Sequence, residues 1–191
     1  MLSRSFEERS STHGRSWRAP RRAVFRFRSC RSGATAVEFA FIAPMFFAIA
    51  FAIFEIAAVF LSSQLLETGL RETARVMFTG EAYDSSMTAD TFKTNLCNQV
   101  KAMMDCSKLY VDVKSYPAGT AITITDPISG GTLNTSGFTY QNPPHNSSNT
   151  VVVRAFYPWN LYVTKFGLNL ANLNGGQRLL AATTAFHVEP Q

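Results

Sequence analysis

The chain has 191 residues, a hydrophobic content of 46% and a net charge of +5, which allow one modest domain beside a long apolar segment. Half of the 18 basic residues are arginines within residues 1–33, whereas the chain from residue 62 onward is neutral overall. The charge therefore belongs to an N-terminal arm, and without a basic folded surface it does not indicate a nucleic-acid-binding protein.

The beginning of that arm, residues 1–29, is rich in Arg and Ser and has no apolar periodicity. Such a segment cannot bury enough apolar surface to fold, so we expect it to be disordered or removed by processing. Arginines that directly precede a membrane segment stay on the cytoplasmic side. The arm therefore predicts a cytoplasmic N-terminus, with residues 62–191 on the outer side of the membrane.

The longest apolar stretch is 39–61, in which only Pro44 and Glu55 interrupt apolar residues and alanines. Its 23 residues would form roughly 34 Å of helix at about 1.5 Å per residue, enough to cross a hydrocarbon core of about 30 Å. The stretch is longer than the apolar part of a secretory signal, about 7–15 residues, and its small residues precede it. It predicts a transmembrane helix, with late signal cleavage at Ala57-Ala58 as the alternative.

Glu38 lies at the edge of this apolar stretch, shortly after the pair Gly33 and Ala34. A carboxylate at a membrane helix is costly and usually has a partner or a function. If the chain is cut after Gly33, the new amino group of Ala34 lies one helical turn from Glu38. The two charges can then pair within a chain or between packed helices. In the alternative, Glu38 lies among the headgroups and is stabilised only by the helix dipole.

The second acidic residue of the stretch, Glu55, lies 17 residues beyond Glu38, roughly 25 Å along a helix axis. We expect it near the outer headgroups, where its side chain reaches toward water or is partly protonated. Pairing with a neighbouring subunit is the alternative role.

The helical pattern continues beyond the membrane, because residues 64–78 keep apolar residues on one face and place Glu67 and Arg71 at i,i+4. One helix from about 35 to 78 is predicted, whose outer half packs on the exported domain. Gly69 is a weak point in it, costing about 1 kcal/mol relative to Ala. Thr79-Gly80 is expected to end it.

A second helix is predicted over residues 88–104, with Thr88 as its cap. Cys97 in this helix and Cys106 after it are close enough in sequence to form a disulfide in an oxidising compartment. Two buried free thiols are the alternative. Cys30, in the basic arm, is expected to remain a free thiol.

The remaining chain predicts an antiparallel sheet packed on helices, which is an α+β fold. Alternation or β-branched content predicts strands at 109–115, 121–125, 151–157 and 178–188, with a further candidate at 137–140. Residues 126–149 predict a long surface loop, and residues 159–173 have helical apolar spacing. Turns are expected at Pro117-Ala118-Gly119 and Gly175-Gly176.

No enzyme signature is present in the sequence. The histidines, His13, His145 and His187, have no metal-ligand spacing around them, and neither a phosphate-binding glycine loop nor a GxSxG motif occurs. We therefore expect no enzymatic activity, no metal and no cofactor. The aromatic run Tyr157-Pro158-Trp159, with Tyr162, is a candidate carbohydrate or peptide surface, although core or interface packing is the commoner role.

The N-terminal motifs carry a family resemblance. Gly33 followed by ATAVEF, with arginines before it and an apolar run after it, resembles the processing site of type IV prepilins. More narrowly, GATAVEFAFIAPMFF, the acid in FEIAAVF and the segment QLLETGLRETARVMFTG resemble the TadE-like pseudopilins of the tight-adherence (Flp) pilus. That family has an AAREGAR-like core after its membrane helix, where this chain has TGLRETAR. The resemblance covers residues 31–80 and, loosely, the closing AFHVEP.

The resemblance implies cleavage by a prepilin peptidase between Gly33 and Ala34, with Glu38 as the acidic residue needed for assembly. The implied partners are that peptidase, the bacterial inner membrane, and other pilin or pseudopilin subunits that pack against the N-terminal helix. The function predicted in this way is that of a minor pilin-like structural subunit of a tight-adherence (Flp/type IVb) pilus used for surface attachment.

Three segments follow from this interpretation. Residues 1–33 form a basic cytoplasmic leader that is cleaved, residues 34–80 a transmembrane and extended helix, and residues 81–191 a periplasmic α+β domain. The alternative function is an uncleaved single-span membrane protein that presents a periplasmic binding domain.

Overall fold

The computed structural model describes residues 33–78, 87–144, 147–163 and 169–188. Its elements, in chain order, are helix α1 (Ala34–Phe78), helix α2 (Ala89–Val100), a 3-10 helix (Cys106–Lys108), and strands β1 (Tyr110–Tyr116), β2 (Ile128–Ser129), β3 (Thr132–Leu133), β4 (Thr150–Asn160) and β5 (Gln177–His187). The predictions for the arm with Cys30, for the helix end at Thr79-Gly80, and for His13 and His145 lie outside these residues.

Helix α1 has 45 residues and matches the predicted range closely. The chain divides into two compact units, residues 1–45 and residues 46–191. In the first unit, the described residues 33–45 are almost all exposed helix. The second unit contains the remainder of α1, in which exposed apolar side chains give way to a buried stripe, together with α2 and the strands.

Helix α2 begins as predicted, because the Thr88 hydroxyl accepts a hydrogen bond from the Thr91 backbone N–H at 3.2 Å. It ends at Val100, four residues before the predicted end. Met103 and Met104 both donate to the Val100 carbonyl, at 3.1 Å each, so the chain tightens into turns there. Met104 lies beyond the end of α2 but is still buried, which explains why the apolar spacing predicted a longer helix.

The disulfide between Cys97 and Cys106 is confirmed and closes the turn after α2, with the two Cα atoms 5.5 Å apart. Asp105 caps the following 3-10 helix by accepting the Ser107 backbone N–H at 3.0 Å. This hydrogen bond and a second one, which the Ser107 hydroxyl donates at 2.8 Å, lower the pKa of Asp105. The turn is therefore fixed both covalently and by a local cap.

The sheet is antiparallel, with strand order β1-β4-β5, and the predicted α+β class is confirmed. The predicted strands at 109–115, 151–157 and 178–188 all form, with β4 extending three residues further to Asn160. Pro158 is tolerated in β4 because the pairing with β1 ends at Phe156, so Pro158 has β5 alone as its neighbour. Strands β2 and β3 form a separate small hairpin.

The predicted strand at 121–125 is wrong. Its apolar residues Ile122 and Ile124 are 45% and 59% exposed, and the segment pairs with no strand of the described chain. The outer edge of β1 is already occupied, because Val113 donates to the Thr139 carbonyl at 2.7 Å and accepts from Gln141 at 3.0 Å. The candidate strand at 137–140 is therefore reduced to one parallel bridge between Val113 and Tyr140.

The predicted helix at 159–173 is wrong wherever the structure describes that range. Trp159 and Asn160 belong to β4, and residues 169–173 are not helical; residues 164–168 lie outside the description. Leu173 forms a bridge with Gln177 across the predicted Gly175-Gly176 turn, whose glycines have φ of 77° and 73°. The two ends of the range that suggested one helical face therefore lie in the end of β4 and beside a turn.

The core lies between the two helices and one face of the sheet. Side chains of α1 and α2 pack there with the inward residues of the strands, namely Leu66, Leu70, Ala74, Met77, Phe92, Leu96, Val100, Val113, Val151 and Val153. A smaller cluster of Phe156, Leu173 and Leu179 lies apart from it, packed by Ile128 of β2 and Leu133 of β3. The outer half of α1 therefore completes the core, as predicted.

Candidate assembly site

The predicted processing site lies at the very start of α1. Gly33 precedes the helix, Ala34 is its first residue, and both are exposed. Glu38 is exposed one turn further on, so Ala34 and Glu38 stand at i,i+4 on one side of the helix. An amino group created at Ala34 would therefore lie within one turn of the Glu38 carboxylate. Cleavage itself stays a prediction.

An apolar surface covers α1 from Val37 to Leu61. Its large exposed side chains are Val37, Phe39, Phe41, Ile42, Met45, Phe46, Phe47, Ile49, Phe51, Ile53, Phe54, Phe60 and Leu61. Such a continuous apolar surface is costly in water and is typical of a segment that lies in lipid or in a bundle of like helices. Within the described part of the chain, α1 is the one helix long and apolar enough to cross a membrane.

Glu55 has partners that the sequence did not reveal. Its carboxylate accepts the backbone N–H of Tyr162 and, at 2.9 Å, the backbone N–H of Val163, both in the loop that follows β4. The prediction placed Glu55 near headgroup water or a neighbouring subunit, whereas the structure gives it partners in its own chain. No pattern in the sequence could have indicated this, because the donors are backbone groups 107 and 108 residues away.

Gly69 was predicted as a weak point, but it lies where α1 and α2 approach closely. A Cβ at this position would lie 3.0 Å from Val100 Cγ1 and 3.1 Å from Gln99 Cβ. The Thr73 hydroxyl donates to the Gly69 carbonyl at 2.8 Å within the same contact. The helical cost of glycine is therefore offset by the close packing that its missing side chain permits.

Asp112 has a buried partner that no local pattern in the sequence indicates. Asp112 and Arg154 are register partners on β1 and β4, are 1% and 5% exposed, and form an ion pair with Nη2 2.6 Å from Oδ2. Asp112 also accepts the Thr139 backbone N–H at 3.0 Å, while Arg154 donates to the Thr125 carbonyl at 2.8 Å. The pair thereby ties two loop segments to the sheet and has a structural role.

A pocket of about 130 Å³ opens beside Arg154. Its lining includes the polar side chains of Lys114, Asp126, Asn134 and Ser136. Its volume equals that of about four waters and is well below the roughly 300 Å³ of small ligand sites. Among the residues that the structure describes, no three His, Cys, Asp or Glu side chains are grouped to hold a metal. The expectation that the chain is not an enzyme stays a prediction.

Of the two roles considered for Tyr157-Pro158-Trp159, the commoner one, core packing, is confirmed for Tyr157. Tyr157 is 7% exposed, and its hydroxyl accepts the Asp105 backbone N–H at 3.1 Å. Trp159 is half-buried against the core, with its ring centroid 6.2 Å from that of Tyr157. Tyr162, in contrast, is 78% exposed. The run therefore belongs mainly to the core, and Tyr162 alone projects from it.

The fold and the site define an α+β protein whose N-terminal helix is a candidate single membrane span. Residues 33–75 match the family model of TadE-like proteins, which confirms the resemblance carried by the sequence motifs. The match begins at Gly33 and ends inside α1, so it covers the helix and not the sheet. It associates the chain with the tight-adherence pilus system. No curated protein and no solved structure gives a significant match.

Proposed function

We propose that the protein is a minor pilin-like structural subunit that takes part in assembling a tight-adherence (Flp/type IVb) pilus for surface attachment. The observation that carries this proposal is a coincidence of positions: α1 begins at Ala34, directly after an exposed Gly33, and the family match begins at Gly33. A peptidase that cuts after Gly33 would therefore release a helix with its first turn already defined. In this proposal the protein has no catalytic activity and no cofactor.

The proposal places the basic arm in the cytoplasm and the α+β domain in the periplasm. Positive charge next to a membrane span is retained inside, which orients the helix. The disulfide between Cys97 and Cys106 supports an oxidising compartment for the domain. The protein would thus be a single-pass protein of the bacterial inner membrane, associated with the pilus or with its assembly machinery.

Assembly would depend on the first turn of α1. The free energy of an apolar helix changes little when it moves from lipid into a bundle of like helices. The exposed apolar surface of α1 therefore allows this transfer but does not drive it. Glu38 is different, because an unpaired carboxylate in an apolar bundle is costly. The amino group of Ala34, from the same subunit or a neighbour, would pair with it, and this pairing would favour correct axial placement.

Processing can be tested by N-terminal sequencing of the protein from membranes together with a Gly33→Leu variant. We expect Ala34 to be the first residue of the mature wild type. Gly33→Leu should leave a precursor about 3.6 kDa heavier, the share of 33 residues in a chain of 191 residues and 21.1 kDa. Thr35→Ser, two residues beyond the bond, serves as a control that should be processed. A Gly33→Leu protein of mature size would contradict the proposal.

Assembly can be tested separately with Glu38→Ala. This variant should be cleaved normally but should fail to support surface pili, because the amino group of Ala34 loses its partner. Glu67→Ala, which removes an acidic residue from the outer half of the same helix, is the matched control and should leave pili unchanged. Normal pili from Glu38→Ala would show that the carboxylate has no role in assembly.

The alternative is an uncleaved single-span protein that presents a periplasmic binding domain. It predicts that the arginine arm remains attached to the protein in membranes. The same N-terminal sequencing distinguishes the two, because an intact arm supports the alternative and Ala34 at the N-terminus supports the pilin-like subunit.

A further inference from the structure

The depth of Glu55 along the apolar surface of α1 can be read from its neighbours. Phe54 is 71% exposed beside it, and Phe60 and Leu61 are 66% and 60% exposed beyond it. The next exposed side chains along the helix, Gln64 and Thr68, are polar. The apolar surface therefore ends at Leu61, six residues or about 9 Å beyond Glu55.

The loop after β4 is bound at this level. Because Glu55 accepts the backbone N–H groups of Tyr162 and Val163, the loop backbone lies against α1 inside the outer limit of its apolar surface. Tyr162 is nevertheless 78% exposed, so its ring points away from the protein at a depth where the surrounding helix surface is apolar. If α1 crosses a bilayer, what surrounds that ring is the lipid interface.

We propose that the loop of residues 161–163 is a membrane-contact site of the outer domain, with Tyr162 inserted at the lipid headgroups and Glu55 holding the loop there. Tyrosine suits this position because its ring is apolar while its hydroxyl reaches water or headgroups. The partner is a phospholipid bilayer surface, and the inference rests on the proposed membrane span of α1. It gives the domain a second attachment to the membrane besides the helix.

The same contact explains how two polar groups are accommodated at that depth. A carboxylate in the apolar part of a membrane helix costs a few kcal/mol unless it is paired. Backbone N–H groups of a loop that lies below the headgroups also require acceptors, because the hydrocarbon region offers none. Glu55 satisfies two such N–H groups, and they satisfy its carboxylate. The loop and the acidic residue therefore depend on each other for insertion.

The test uses the full chain in phosphatidylcholine–phosphatidylglycerol vesicles whose acyl chains are brominated near the headgroups in one preparation and near the chain ends in another, so that bromine quenches tryptophan fluorescence at each depth. Tryptophan is introduced by Tyr162→Trp, by Phe47→Trp within the span, and by Ile122→Trp. Ile122 is an exposed residue at the other end of the sheet, beside Tyr116, whose hydroxyl bonds the Thr123 carbonyl. The wild-type signal from Trp17 and Trp159 is subtracted.

We expect Tyr162→Trp to be quenched by bromine near the headgroups, Phe47→Trp to be quenched by bromine near the chain ends, and Ile122→Trp to be quenched by neither. If Phe47→Trp is quenched and Tyr162→Trp behaves like Ile122→Trp, the lipid contact is overturned while the span stands. If Phe47→Trp is not quenched either, the span is overturned and the contact with it. An unquenched Tyr162→Trp whose emission changes with protein density would assign the surface to a second copy and overturn the lipid assignment.

The role of Glu55 is tested by adding Glu55→Ala to Tyr162→Trp. Loss of the carboxylate that accepts the two backbone N–H groups should release the loop and reduce quenching, while Phe47→Trp stays quenched in the same background. Glu67→Ala, a change of the same kind outside the span, should leave quenching of Tyr162→Trp intact. Unchanged quenching after Glu55→Ala would overturn the holding role of Glu55. The urea midpoint of each variant confirms that the domain remains folded.

Discussion

The two halves of α1 are both rich in apolar residues but face different surroundings. In residues 39–61 most large apolar side chains are exposed, as Phe41 at 81% illustrates, and only Ala52 and Val59 are buried. In residues 62–78 the apolar side chains form one buried face that includes Leu66 and Leu70, both at most 1% exposed. A helix in lipid needs apolar residues all round, whereas a helix on a protein core needs them on one side. This change along α1 is the one expected of a helix that leaves a bilayer and then packs on a folded domain.

The charged residues of the two halves also have different kinds of partner. Beyond residue 62 the exposed face carries ion pairs such as Glu67 with Arg71 and Glu72 with Arg75, which are suited to water. Within 39–61, Glu55 is instead satisfied by backbone donors of its own domain. The outer half tolerates charge freely, and the inner half requires each charge to have a fixed partner.

The strongest test of this difference compares one apolar truncation in each half. Leu70→Ala should reduce the free energy of unfolding of the outer domain by about 2–5 kcal/mol, because it opens a cavity in the core. Phe47→Ala removes a larger side chain but should change the free energy of unfolding by less than about 0.5 kcal/mol, because Phe47 is exposed. Urea unfolding of the full chain in detergent, followed by Trp159 fluorescence, measures both. Equal losses would mean that the inner half also packs on the domain.

The next effect concerns the disulfide that fixes the end of α2, the helix that covers the outer half of α1. A bridge between residues nine apart should contribute about 2.5 kcal/mol through the entropy of the unfolded chain. Cys97→Ala with Cys106→Ala should lose that amount in urea unfolding, and reduction of the wild type should give the same value. Cys30→Ala is the control, with no loss expected. An unchanged midpoint would show that α2 packs independently of the bridge.

A smaller effect is expected at the contact of the two helices. Gly69→Val should destabilise the domain by about 1–3 kcal/mol, because its side chain would overlap Val100 and Gln99. Thr68→Val, the adjacent exposed position, should stay within about 0.5 kcal/mol. A second change, Val100→Ala, should cost less in the Gly69→Val background than in the wild type. Strict additivity of the two would contradict a direct contact.

The smallest effect at neutral pH concerns Tyr140, which packs beside Phe92 of α2. Its hydroxyl is buried without a hydrogen-bond partner among the described residues, so Tyr140→Phe should change stability by less than about 1 kcal/mol. Burial raises the pKa of Tyr140 from 10.0 to about 12. The folded state therefore holds this proton more tightly, and the associated stability is complete below pH 10 and lost as pH rises toward 12.

The free energy of unfolding of wild type and Tyr140→Phe, measured between pH 8 and pH 11, tests whether stability falls as the pH rises. The wild type should lose stability relative to Tyr140→Phe as the pH rises above 10. Tyr110→Phe, a variant of an exposed tyrosine, is the matched control and should track the wild type. A constant difference between wild type and Tyr140→Phe across this range would show that the hydroxyl is not desolvated.

Local chemistry predicted part of the fold well. Thr88 caps α2 as its residue type and position indicate, and the β-branched run at Val151 forms the central strand. The two errors have a common cause. Residues 121–125 have a strand pattern, but the neighbouring edge of β1 is occupied by residues 139–141. The helical spacing in 159–173 was likewise overridden, because β4 continues to Asn160 along its partner β5. Pairing partners distant in sequence decide such cases.

The sequence by itself predicted the candidate membrane span, the family resemblance at the N-terminus and the α+β class, because each depends on composition and spacing within a short stretch. Only the tertiary structure decided the roles of Glu55, Gly69 and Asp112. Each of these residues acts through a partner between 30 and more than 100 positions away, on another element. A carboxylate, a glycine and an aspartate carry no sign of their partners in the local sequence, because only the folded chain brings those partners within contact distance.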